Sequence, residues 1–126
     1  MIVGLGVDAV DIERIERMLD AQGDRMLERL FSAGERAYLA GKRAPAQHVA
    51  VRLAAKEAAY KALAGNELAR GIGWRDVEVV SRDDGSPELR LHGRAAERLA
   101  ELSGTTVHVS LTHSAATAVA IVIVER

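Results

Sequence analysis

A run of alanines along one predicted helix constrains the fold of this chain more than any other feature. The helix is predicted to begin near Pro45, a residue favoured in the first helical turn, and to end near Gly65, a natural C-cap. Alanines along most of its length keep it thin: Ala50, Ala54, Ala55, Ala58, Ala59, Ala62 and Ala64. Its larger apolar residues are Val49, Leu53, Tyr60 and Leu63. Because a thin, mainly apolar helix packs close to its neighbours, we expect it to be buried.

Shorter elements are predicted on both sides of this helix. Apolar or alternating runs predict strands at residues 2–8, 77–81, 88–91, 105–112 and 116–124, with residues 71–74 leading into the second strand. Amphipathic spacing and capping signals predict short helices at residues 11–20, 24–30, 33–39 and 94–102. The last strand is apolar on both faces, so we expect it inside a sheet sandwich or at a subunit interface. The pattern indicates an α+β fold in a single domain, residues 1–126.

Composition excludes several classes of protein and site. A net charge of −1 and four aromatic residues argue against nucleic-acid binding. The absence of cysteine excludes disulfides and thiolate zinc sites. No segment approaches the roughly 20 apolar residues of a membrane span, and the first residues lack a signal-peptide pattern. We therefore expect a cytoplasmic protein with no membrane contact.

Two carboxylates lie in apolar surroundings. Asp8 closes the first strand, and Glu57 lies in the middle of the alanine-rich helix. Paired carboxylates suit Mg²⁺, which takes one or two of them together with waters and phosphate oxygens. The alternatives stay open: Asp8 as a cap for the helix near Ile12, and Glu57 as a surface ion pair with Lys61.

Basic residues accompany Glu57 on the same helix. Arg52 and Lys56 share a face and Lys61 lies nearby, a set that suits a site for a metal and a diphosphate. A solvated helix face is the competing interpretation. In the strand at 105–112, His108, Ser110 and Thr112 should alternate with apolar residues, and His113 follows at its end.

The motifs taken together resemble the holo-[acyl-carrier-protein] synthases, which are small bacterial phosphopantetheinyl transferases, and the resemblance covers essentially the whole chain. It rests on Gly4-x-Gly6-x-Asp8 followed by Asp11-Ile12-Glu13-Arg14-Ile15, on Arg52-x-Ala54-Ala55-Lys56-Glu57-Ala58-x-x-Lys61-Ala62-Leu63, on Gly71-Ile72-x-Trp74-x-Asp76-x-Glu78-Val79, on Gly85-x-Pro87-x-Leu89-x-Leu91-x-Gly93-x-Ala95, and on His108-Val109-Ser110-Leu111-Thr112-His113. The chain departs from the family at Leu53, where Phe is usual, and at Val51, where Gly is common.

The resemblance implies a fold in which the long helix packs on an antiparallel sheet. It also implies a reaction, the Mg²⁺-dependent transfer of 4′-phosphopantetheine from coenzyme A to a serine of apo acyl carrier protein in fatty acid synthesis. Adenosine 3′,5′-bisphosphate is released. The family's metal ligands fall on Asp8 and Glu57, and its motif lysine falls on Lys61. A homotrimer with active sites between subunits is implied as well.

Roles for the remaining residues follow as hypotheses from this resemblance. Asp8, Glu57 and Lys61 form the catalytic set, and the serine proton goes either to Glu57 or to a metal-bound water. The coenzyme A phosphates are assigned to Arg52, Lys56, Lys61 and His113.

Docking of the acidic carrier protein is assigned to the region of the first helix, through Arg14, Met18 and Arg25. An ordinary amphipathic surface is the alternative for these three residues. Two competing functions for the whole chain are a coenzyme-A-binding module without turnover and a trimeric scaffold.

Overall fold

Six helices and two antiparallel sheets make up the fold, which a computed structural model describes over residues 1–126. In chain order the elements are β1 (Ile2–Asp11), α1 (Ile12–Gln22), α2 (Asp24–Leu30), α3 (Ala33–Ala40), α4 (Pro45–Leu63), α5 (Glu67–Arg70), a 3₁₀ turn (Trp74–Asp76), β2 (Val77–Ser81), β3 (Pro87–Leu91), α6 (Gly93–Glu101), β4 (Thr106–His113) and β5 (Thr117–Glu125). The larger sheet has the order β1-β5-β4, and β2 and β3 form a separate hairpin.

Helix α4 is the centre of the structure, as the alanine pattern predicted. Thirteen of its nineteen residues are buried, and it packs on β1 and β5 of the larger sheet. The inward residues of β5 are small or β-branched and fully buried: Ala118, Ala120, Val122 and Val124. The α+β prediction, with a long buried helix on an antiparallel sheet, is therefore confirmed. No helix is both long enough and apolar enough to cross a membrane.

The backbones of β1 and α4 approach closely because glycines of the strand face alanines of the helix. A Cβ atom on Gly4 would overlap the carbonyl oxygen of Ala62, and one on Gly6 would overlap that of Ala58. Both glycines are therefore required by the space between the elements. The two glycines precede Asp8 on the same strand, so this contact also fixes where Asp8 lies relative to α4.

The opposite face of the larger sheet is bare in the single chain. Leu5 is 60% exposed, Val7 is 55% exposed and Ile121 on the central strand is 39% exposed. Strand β5 is thus apolar on both faces, as predicted, but one face packs on α4 and the other meets no part of the chain. Adjacent exposed apolar side chains of this kind mark an interaction surface.

One strand boundary was predicted wrongly, and one short helix was not predicted. The first strand does not end at Asp8 but continues to Asp11, because β1 pairs with β5 through the pair Asp11↔Thr117. The segment after α4 contains the four-residue helix α5, which was not predicted. Its N-cap is Asn66, whose side chain accepts a hydrogen bond from the Ala69 amide, and a single turn is too short to show a periodic pattern.

Helix α6 anchors the carboxyl end of α4. The Arg98 guanidinium donates from Nε to the Leu63 carbonyl at 2.8 Å and from Nη2 to the Ala64 carbonyl at 3.1 Å. These carbonyls have no partner within the helix, so the cation satisfies them and also interacts favourably with the helix dipole.

Substitution of Gly6 by alanine tests the close approach. The added methyl group would collide with backbone rather than with a side chain that can move away, so we expect Gly6→Ala to lower the free energy of unfolding by about 3 kcal/mol. Gly34→Ala in α3 is the matched control, because its nearest neighbour would lie at an ordinary 3.5 Å. Urea denaturation measures both. A Gly6→Ala protein as stable as the control would contradict the packing argument.

Candidate functional site

Asp8 and Lys61 form an ion pair between β1 and α4. Lys61 Nζ lies 3.0 Å from Asp8 Oδ1 and also donates to the Val7 carbonyl at 3.0 Å. Asp8 is not the cap of α1, since that position belongs to Asp11, whose carboxylate accepts from the Glu13 amide at 3.2 Å. The capping alternative for Asp8 is therefore excluded.

Glu57 lies beside this ion pair, one helical turn before Lys61. Partial burial and the neighbouring Asp8 carboxylate raise the pKa of Glu57 to about 7, while Arg14 and Lys61 act in the opposite direction. The salt bridge of Lys61 is made with Asp8, so the alternative of a surface Glu57–Lys61 pair does not describe the structure. Two carboxyl groups and one ammonium group thus converge between β1 and α4.

The unsatisfied oxygen of Asp8 shows that this arrangement fits a divalent cation. Asp8 Oδ2 is buried and no protein donor reaches it, which is expensive for a carboxylate unless another positive group binds there. No group of three or more His, Cys, Asp or Glu side chains is arranged to hold a metal ion by itself, so an all-protein cage is absent. Two carboxylates are nevertheless the usual protein share of a Mg²⁺ site completed by waters and phosphate oxygens.

A cavity of about 340 Å³ opens next to the carboxylates. Helix α4 supplies one wall and the segment after α5 supplies the other; the lining residues are Lys56, Glu57, Tyr60, Lys61, Ile72, Gly73, Trp74 and Val77. Polar groups are therefore concentrated on the α4 side, and the facing wall is mainly apolar. Such a cavity suits a ligand with a charged end and a long uncharged part.

Lys56 differs from its predicted role as a phosphate ligand. Its ammonium group is buried and donates to Glu35 Oε1 at 2.9 Å, to the Trp74 carbonyl at 2.9 Å and to the Val77 carbonyl. Burial lowers the pKa of Lys56, and the Glu35 carboxylate opposes that shift. Since an ammonium group has three protons, these partners leave none for a ligand. The helix periodicity could not reveal this, because Glu35 lies 21 residues away in the sequence.

Arg52 belongs to a second group of side chains and lines a different cavity from Glu57. The Arg52 guanidinium carbon lies 4.0 Å from the centre of the Tyr38 ring, and its Nε is buried without a partner. Lys42 Nζ lies 4.3 Å from the same ring centre. Burial and the positive charges of Arg52, Lys42 and His113 lower the pKa of His48, so these three residues lie near the His48 imidazole.

Two members of this basic cluster, Lys42 and His48, were not predicted. Both contact Tyr38. The Lys42 ammonium group lies over the Tyr38 ring, and the His48 imidazole meets that ring edge-on, with ring centres 6.1 Å apart. Tyr38 belongs to α3 and Arg52 to α4, so no spacing within one helix indicates the cluster. The structure therefore separates Arg52 and His113 from Asp8, Glu57 and Lys61 within one chain.

The predicted docking residues Arg14, Met18 and Arg25 differ in their exposure to solvent. Arg14 and Arg25 are exposed, whereas Met18 is partly buried and packs against the core. Arg14 lies close enough to Glu57 for its charge to affect the pKa of that carboxyl. Helix α1 therefore borders the carboxylate site.

Comparisons with known proteins identify the family. The sequence model of the 4′-phosphopantetheinyl transferase superfamily matches residues 4–121. A holo-[acyl-carrier-protein] synthase of Geobacter metallireducens is 48% identical over 126 residues, which is 100% of this chain and 99% of the relative.

Solved structures agree with the sequence comparison. A holo-[acyl-carrier-protein] synthase from Neisseria meningitidis has a TM-score of 0.87 and 26% identity, with 100% of both chains covered. A holo-(acyl-carrier-protein) synthase from Bacillus anthracis in complex with CoA (3′,5′-ADP) has a TM-score of 0.79 and 35% identity, covering 98% of this chain and 96% of that one. Sequence and fold together place this enzyme in the 4′-phosphopantetheinyl transferase superfamily, among the holo-[acyl-carrier-protein] synthases.

Proposed function

We propose that the protein transfers 4′-phosphopantetheine from coenzyme A to a serine of an apo acyl carrier protein, in a Mg²⁺-dependent reaction that releases adenosine 3′,5′-bisphosphate. The observation that carries this proposal is the convergence of Asp8, Glu57 and Lys61 between β1 and α4, beside a cavity that Glu57 and Lys61 line. Fatty acid biosynthesis in the cytoplasm is the setting that the family resemblance supports.

The chemistry is displacement at phosphorus. A bond forms between the serine oxygen and the β-phosphorus of the coenzyme A diphosphate, and the bond from that phosphorus to the bridging oxygen breaks. Mg²⁺ held by Asp8 and Glu57 would neutralise charge on the diphosphate. Lys61 is half-exposed beside Asp8 and can stabilise the leaving phosphate, while the Glu57 carboxylate would accept the serine proton.

The two groups of side chains suit different parts of coenzyme A. The cavity beside Glu57, with its apolar wall, fits the uncharged pantetheine arm. Arg52 and Lys42 are the permanent cations of the second cluster, which also holds His113 and His48, and their charges fit phosphate oxygens. Arg52 is the best placed of these, because its buried Nε lacks any acceptor in the protein.

A homotrimer would bring these two groups together. Within one chain Arg52 lines a different cavity from Glu57 and Lys61, and the exposed face of the β1-β5-β4 sheet offers Leu5, Val7 and Ile121 for contact with another copy. We infer that the phosphate cluster of one subunit completes the carboxylate site of its neighbour.

The acyl carrier protein would dock on α1, because Arg14 is exposed next to the carboxylate site and an acidic partner requires local positive charge. Arg25 extends the positive surface beyond the end of α1. Met18, which is partly buried, would contribute an apolar contact to the carrier.

Intact-mass analysis of an apo acyl carrier protein tests the reaction. Incubation with this protein, coenzyme A and Mg²⁺ should add one phosphopantetheine, and omission of Mg²⁺ or the Asp8→Asn substitution should abolish the gain because the metal site is lost. The carrier serine→alanine variant is the control for the acceptor. If the folded protein binds coenzyme A but modifies no carrier, it is a binding module, and the proposed reaction is wrong.

Mixing two inactive variants tests the shared site. Lys61→Ala disables the carboxylate site and Arg52→Ala the phosphate cluster, so each variant alone should be nearly inactive. When the two are unfolded together and refolded in equal amounts, random trimers should regain about a quarter of wild-type activity, because one site in four combines two intact halves. No recovery, or a monomer in sedimentation at micromolar concentration, would contradict shared sites.

Reversal of one charge on α1 tests carrier docking. Arg14→Glu should raise the Michaelis constant for the carrier at low ionic strength, and added salt should reduce the difference because it screens the interaction. Glu28→Arg on α2 is a control for a change of surface charge, since Glu28 is exposed on a different helix. An unchanged Michaelis constant at low salt would remove Arg14 from the docking surface.

A further inference from the structure

An ion pair with almost no solvent exposure forms part of the cavity wall. Lys56 Nζ and Glu35 Oε1 are 2.9 Å apart, and their side chains are 1% and 0% exposed. Burying two charges requires their removal from water, and apolar residues of similar size are often at least as stabilising. Stability alone therefore does not account for this pair, and its other hydrogen bonds indicate what else it does.

The pair joins four parts of the chain. Lys56 belongs to α4 and donates to the carbonyls of Trp74 and Val77, which lie in the 3₁₀ turn and at the start of β2. Glu35 belongs to α3; its Oε2 accepts from the Val79 amide at 3.1 Å and its Oε1 accepts from the Ser32 amide at 2.9 Å. An ammonium group is well suited to bind a carboxylate and two carbonyls at once, because it has three protons and no acceptor.

Lys56 is the direct link between the two walls of the cavity. One wall is the face of α4 with Glu57, Tyr60 and Lys61, and the other is the segment 72–77. Both hydrogen bonds that join α4 to residues 72–77 are donated by Lys56. Lys56 also precedes Glu57 directly, so the link acts at the helical turn that carries this carboxyl group.

We propose that the Glu35–Lys56 pair positions the segment 72–77 against α4 and thereby fixes the width of the cavity beside Glu57. Both are positioning residues, since every contact they make is internal to the protein. The proposal rests on the proposed function insofar as the cavity holds part of coenzyme A. A wider cavity would leave the ligand less well oriented, so coenzyme A binding should weaken.

Trp74 provides a direct measure of this wall. It is the single tryptophan of the chain, it lines the cavity, and its own carbonyl accepts from Lys56. Acrylamide quenching of its fluorescence reports the freedom of the segment without any need for turnover. The Michaelis constant for coenzyme A reports the consequence for the ligand.

Three substitutions of the pair and one control define the experiment. Lys56→Met removes the donors at similar side-chain length, Glu35→Leu with Lys56→Met removes both charges and should still fold, and Lys56→Arg retains a cationic donor. Val124→Ala removes buried volume from β5, on the sheet side of α4, and is the control for a general loss of stability. All are compared at equal fractions of folded protein.

The expected result is a selective effect on the cavity. Lys56→Met and the double variant should raise the Michaelis constant for coenzyme A about tenfold and increase the quenching of Trp74. Lys56→Arg should recover part of both, and Val124→Ala should change neither. Three outcomes would assign the pair to stability and overturn the proposal. One is that folded Lys56→Met has the quenching and the Michaelis constant of the wild type. The others are that Val124→Ala shows the same changes as the pair variants, or that every pair variant fails to fold.

Failure of the proposed function gives a different result. If the wild-type protein modifies no carrier, the reaction is wrong, and the quenching of Trp74 still decides whether the pair positions the segment. If the wild type is active and the variants match it in both measurements, the positioning role alone is wrong.

Discussion

The structure depends on the close contact between the backbones of β1 and α4. Gly4 and Gly6 on the strand face the carbonyls of Ala62 and Ala58 on the helix, and a methyl group on either glycine would collide with backbone. Because Asp8 follows on the same strand, this contact brings its carboxylate to Lys61. A larger side chain at the contact would move the elements apart and separate the charged groups of the site.

The basic residues on the other sides of helix α4 have different partners. Lys56 is buried against Glu35 and holds the segment that faces the cavity, whereas Arg52 stacks on Tyr38 in a separate cationic cluster. Lys61 pairs with Asp8, so the three basic residues of this motif have three different environments. Similar residue types within one helix are therefore not equivalent, since burial and partners decide whether a cation binds a ligand or the protein itself.

Much of the fold followed from local sequence patterns. The alanine spacing predicted the buried helix, capping signals predicted α3, which the Ser32–Glu35 capping box opens, and β2 and β3 occur where the two strands at 77–81 and 88–91 were predicted. The errors lay at boundaries and in short segments. Strand β1 is longer than predicted because pairing with β5 continues past Asp8, and pairing with a distant strand leaves no signal in the local sequence.

Local sequence is enough to recognise the residue types of the site, namely carboxylates in apolar surroundings and a lysine one turn after Glu57. Tertiary structure alone decided which groups meet. It placed Lys61 on Asp8 rather than on Glu57, paired Lys56 with Glu35, and left one face of the sheet bare. The physical reason is that the energy of a charge depends on its desolvation and on neighbours from distant parts of the chain, which periodicity within one helix does not specify.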